Sequence, residues 1–98
     1  MELVWMVTCE VLVSPGDLAS GRTKAFVNLT TWAGSPEGAE QKISRYLESF
    51  GWHVIGIEDS HPVDERRIYE EEVAEMIEKT KNDPAAIILG RFFSYKAD

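Results

Sequence analysis

One cysteine, Cys9, occurs in 98 residues. No intramolecular disulfide can form, which excludes a disulfide-stapled scaffold and suits a reducing compartment. Four prolines and seven glycines are too few for a collagen-like or low-complexity chain. No apolar run approaches the roughly eighteen residues that a membrane-spanning helix needs. Basic side chains are scarce as well: ten Lys and Arg face seventeen Asp and Glu, for a net charge of −7. Nonspecific nucleic-acid binding relies on basic groups that displace counterions, and anionic membranes attract the same groups, so neither partner is expected. Internal repeats are absent too. Residues 1–13 are largely apolar, but Glu2 stands where a leader has its basic region and Glu10 interrupts the run. The expectation is a cytoplasmic protein with one domain over residues 1–98 and a core large enough to need no metal or cross-link.

What is there is organised around residues 35–59. Ser35 is a natural N-cap and Pro36 fits the first helical position, where no N–H partner is lost. Ala39, Ile43, Tyr46, Leu47 and Phe50 recur at helical spacing, and Gly51 stands where a left-handed stop needs no side chain. Trp52, Val54, Ile55 and Ile57 continue as a strand until His61-Pro62 stops it. Before this unit, residues 3–13 and 24–32 read as two strands of a hairpin joined by an open loop with Pro15-Gly16 turn chemistry. After it, a second helix is expected from 62–64 to about 81, with Ile68 or Tyr69, Val73, Met76, Ile77 and Thr80 as its buried stripe. Asn82-Asp83-Pro84 ends that helix, and residues 86–95 read as the last strand.

The order is ββαβαβ. With helices about as long as strands, strands two, three and four should run parallel and strand one antiparallel to them. The predicted fold class is therefore α+β, a two-layer sandwich of one mixed four-stranded sheet with two helices on one face. It is ferredoxin-like in spirit but differs in element order. The segment Ala39-x₃-Ile43-x₃-Leu47-x₃-Gly51-Trp52-x-Val54 resembles small stand-alone bacterial α+β domains that have no assigned activity. The resemblance covers only this helix–Gly–Trp–strand segment. It implies a bacterial protein of this fold class and carries over no functional residue.

Several constellations contain residue types that can carry chemistry. Residues 16–23, GDLASGRT, resemble a phosphate-binding loop with Arg22 in place of lysine, but a strand rather than a helix follows them. His53, Asp59 and His61 share strand parity, yet eight strand residues hold the two histidines about 26 Å apart, so one ion cannot take both. A local Asp59/His61 pair is short of ligands. Cys9 sits in the apolar alternation Trp5, Val7, Cys9, Val11 and reads as a core thiol. Glu70, Glu71, Glu72, Glu75 and Glu78 read as a solvated helix face. Residues 91–96 interleave Arg91 and Lys96 with aromatics, which a packed terminal strand accounts for. No catalytic set, metal or cofactor is expected.

A sheet covered on one side should alternate apolar and polar residues, but Trp5/Met6, Phe26/Val27 and Phe92/Phe93 are apolar in both positions. Surplus apolar surface on an uncovered face usually marks association or ligand binding. The leading expectation is a non-enzymatic interaction module that forms a homodimer through its sheet or engages another protein. The alternatives are a small-molecule-binding domain or cofactor-free enzyme, with Trp5, Phe26, Trp32 and His53 around a pocket on the sheet face, and an acidic inhibitor or immunity-type protein for a basic partner.

Overall fold

A computed structural model describes residues 2–13, 24–64 and 66–95, the last five of these by backbone alone. The elements are β1 (Leu3–Leu12), β2 (Lys24–Ala33), α1 (Pro36–Glu48), β3 (His53–Pro62), α2 (Glu71–Lys81) and β4 (Ile87–Tyr95). The protein is α+β, with one four-stranded sheet in the order β3-β1-β2-β4. Among the described residues no helix is long and apolar enough to cross a membrane.

The central unit folds as its residues dictate. The Ser35 hydroxyl accepts from the Gly38 N–H at 3.0 Å, and Pro36 opens α1. At the other end Gly51 adopts φ 80°, a left-handed conformation that a side chain would strain. This lets the Trp52 N–H reach Leu47 O at 3.2 Å and the Gly51 N–H reach Glu48 O at 2.9 Å, the paired closure of a Schellman motif. Ala39, Ile43 and Leu47 are fully buried against Val7, Cys9, Val11, Val27 and Leu29. Phe50, expected in the same stripe, is 44% exposed. It follows the end of the helix and rests edge-on against Tyr46 and Trp52 instead.

The sheet is not mixed. β1 pairs antiparallel with both β2 and β3, and β2 pairs antiparallel with β4. β2 and β3 do run in the same direction, as expected, but β4 runs against them. The cause is the length of α2. It starts at Glu71 rather than near residue 63, and its 11 residues span only about 16 Å. Residues 63–64 and 66–70 are not helical, and α2 brings the chain back. The chain thus enters β4 at the sheet end where it left β3: Pro62 lies opposite Trp5, and Ile87 opposite Thr31, which is itself opposite Trp5.

Nor do the helices share a face. The α1 side of the sheet carries Trp5, Val7, Cys9 and Val11 of β1 with Val27 and Leu29 of β2. α2 is bonded to the alternate residues of β2. Thr30 Oγ1 lies 2.7 Å from Thr80 Oγ1, whose own proton goes to Met76 O at 2.8 Å, and Trp32 Nε1 donates to Thr80 O at 2.6 Å. Adjacent strand residues point to opposite faces, so α1 and α2 lie on opposite sides. Gly90 lets Met76 approach closely, since a Cβ there would meet Met76 Sδ at 2.7 Å. The result is a layered α/β/α arrangement, which departs from the two-layer, ferredoxin-like one expected. It also explains the apolar residues at both strand parities, because each face has a helix to cover.

Candidate functional site

Two irregularities in β3 prepare the second face, the one that carries α2. Its register against β1 shifts between Thr8 and Cys9 and again between Glu10 and Val11, leaving Glu58 and Ile55 without a partner. Each extra residue resets the alternation of a strand. Val54 and Ile57, three apart, therefore both pack against the core under α1. Asp59 and His61 are set opposite Thr8 and Met6, on the other face.

The segment after β3 folds back over these two residues. Its start is tied to β1 by the Val63 N–H donating to Val4 O at 2.8 Å. Asp64 then organises a turn. Its Oδ1 accepts from the Arg66 N–H at 2.9 Å, and its carbonyl accepts from the Arg67 N–H at 3.0 Å. The Asp64 N–H donates to the Tyr69 hydroxyl at 3.2 Å. Arg67 and Tyr69 are thereby brought to His61: the Tyr69 ring lies parallel to the imidazole within 4°, and the Arg67 guanidinium lies 5.5 Å from the Tyr69 ring centre. Ile68, between them, is 96% exposed, although a helical stripe would have buried it.

These side chains border a hollow of about 330 Å³, floored by Met6, Thr8 and Asn28 and closed on the helix side by Glu70 and Val73. Its centre is the imidazole. His61 Nδ1 lies 2.8 Å from Asp59 Oδ2. An ionised carboxylate only accepts, so Nδ1 carries the proton and Nε2 offers a lone pair. Arg67 Nη1 and the Tyr69 hydroxyl each stand 3.5 Å from that Nε2, too far for strong bonds. Below, the Thr8 hydroxyl donates to Asn28 Oδ1 at 2.7 Å. The His61 side chain is 21% exposed and that of Asp59 58%. One guanidinium, two carboxylates, an imidazole, a phenol, a hydroxyl and an amide thus meet over one small concavity. It can hold a small polar molecule and exchange a proton with it.

Of the four residues expected around a pocket, none lines this hollow. Trp5 is buried on the α1 face and donates from Nε1 to Ala33 O at 3.0 Å, a core role. Trp32 lies on the second face and borders a separate, apolar hollow with Leu3, Val4, Val63 and Lys81. Phe26 is half-buried on that face, opposite Glu10. His53 is exposed at the far end of β3, opposite Leu12. The geometry does not bring these four together. Asp59 and His61 do meet, and among the described residues no group of three or more His, Cys, Asp or Glu side chains joins them as a metal centre. The loop at 16–23 lies outside the described residues, as do the side chains of the 91–96 stretch.

Arg67, Tyr69, Thr8 and Asn28 were not anticipated, because a helix through 64–81 would have pointed Arg67 outward. One signal was available. Glu70-Glu71-Glu72 is an acidic first turn, which favours a helix starting there. No protein-family model, curated protein or solved structure matches the chain.

Proposed function

We propose that this protein is a small-molecule-binding domain whose site is the hollow over His61. The observation that supports it is the convergence of Asp59, His61, Arg67 and Tyr69, from β3 and from the segment that folds back over it, onto one polar concavity. Structural ion pairs are usually satisfied by each other, whereas Nε2 of His61 meets only two donors at 3.5 Å. A volume of about 330 Å³ lies at the lower end of the ligand-site range, which favours a metabolite-sized occupant. The test is a screen of small polar metabolites by amide chemical shifts. Binding should move the resonances of residues 59–61 and 67–70, and Tyr69→Ala should weaken it by roughly tenfold or more, the worth of one or two lost contacts. A screen whose hits perturb only other regions would refute the assignment.

Self-association is the second reading. Its first reason, a bare sheet face, lapses because α2 lies on that face, but Ile68 at 96% exposure favours a protein contact beside the hollow. Sedimentation decides it. A dimer at tens of micromolar that Ile68→Ser dissociates supports this reading, and a monomer removes it.

A further inference from the structure

Resting on that reading of the site, we infer that the hollow is a proton-transfer centre, with Nε2 of His61 as the base, for a small 2-oxo acid that bears a hydrogen beside its carbonyl. Three features of the geometry lead there. First, Asp59 Oδ2 lies 2.8 Å from His61 Nδ1, so one tautomer is fixed and the lone pair is directed to the remaining nitrogen. Second, the groups around Nε2 are an Arg67 guanidinium, which only donates, and a Tyr69 hydroxyl whose oxygen already accepts from the Asp64 N–H at 3.2 Å, which leaves its own proton to donate. A base flanked by two donors is the arrangement that removes a proton and holds the oxyanion formed. Third, the guanidinium fork matches paired oxygens, and a 2-oxo acid presents a carboxylate and a carbonyl oxygen side by side.

The step balances without any further reactant. The Nε2 lone pair takes a proton from the carbon next to the carbonyl. The C–H electron pair becomes a carbon–carbon double bond, and the carbonyl π pair moves onto oxygen, where Arg67 and Tyr69 donate to it. The imidazolium then returns the proton to that oxygen, giving the enol, or to the carbon, giving exchange with solvent. Asp59 is a positioning residue here, and Tyr69 and Arg67 hold the oxygens.

The experiment uses the full chain and phenylpyruvate in deuterium oxide, with deuterium entry at the methylene carbon followed by proton NMR. The wild-type protein should accelerate entry by roughly 100-fold or more over an equal concentration of free imidazole. His61→Gln should abolish the acceleration while its melting curve stays cooperative. Asp59→Asn should reduce it and also scramble the Nδ1–H tautomer, read directly from imidazole nitrogen shifts, which a merely structural carboxylate would leave alone. Phenylpyruvate that shifts the amides of residues 59–61 and 67–70 without accelerated exchange overturns the proton transfer and leaves the binding site standing. Acceleration that survives His61→Gln, or neither exchange nor amide shifts, overturns it as well.

Discussion

Cys9 illustrates how one residue reports on its surroundings. It lies on the α1 face of β1 between Val7 and Val11, with no exposed surface, and burial pushes its thiol from the ordinary 9.0 up to about 11. The thiolate is the reactive form, so this cysteine should be inert toward disulfide reagents in the native protein and react fully once unfolded. A sign follows for stability. Between pH 9.0 and about 11 the folded thiol keeps the proton that the unfolded thiol releases. The folded state then binds more protons, and its stability falls as pH rises through that window. Denaturant melts of wild type and Cys9→Ala should show the wild type losing relative stability there. A difference that stays constant across the window would mean that the thiol is not held in this environment.

At the scale of elements, α2 is held by polar contacts as much as by Met76 and Ile77. The Thr30 and Thr80 hydroxyls are both fully buried and satisfy one another at 2.7 Å. Removing either one breaks the shared bond and leaves the other only its contact with Met76 O, 2.8 Å from Thr80 and 3.4 Å from Thr30, at a cost of about 1 kcal/mol, whereas removing both breaks that shared bond only once. Thr80→Val and Thr30→Val should therefore each destabilise, and the double variant should lose clearly less than the sum in a thermodynamic cycle. Additive losses would break the pairing. Elements of this kind divide what the sequence reveals from what it conceals. α1 was legible from Ser35 to Gly51 because cap, period and stop are local properties of the chain. The β1–β2 hairpin was legible for the same reason. The start of α2 was not, because Ile68 and Tyr69 continue the apolar period of Val73, Met76 and Ile77 although one is exposed and the other lines the hollow. The bulges of β3 leave no mark except that Val54 and Ile57, both core residues, stand three apart. Asp59 and His61 were visible as a pair, but their neighbours depend on a chain reversal that no short window contains.

For the whole molecule, the position of one helix boundary sets the direction of β4, the layering of the fold and the existence of the hollow. Had α2 begun at residue 63, the chain would have arrived at the other end of the sheet, and Tyr69 would have been carried away from His61. The two helices instead lie across the sheet from one another. Backbone and side chains of four strands separate the packing of Leu47 from that of Met76. Such a sheet acts as an insulator: relaxation around a cavity on one side reaches the other only through the backbone of the strands on which both helices pack. Leu47→Ala and Met76→Ala should each cost about 2–5 kcal/mol, and their combination should match the sum within about 0.5 kcal/mol. Urea melts of the four proteins measure this directly, and a coupling well beyond that margin would show that the layers communicate. If the sum holds, the face that carries α2 and the hollow is free to change its residues without drawing on the stability of the α1 core.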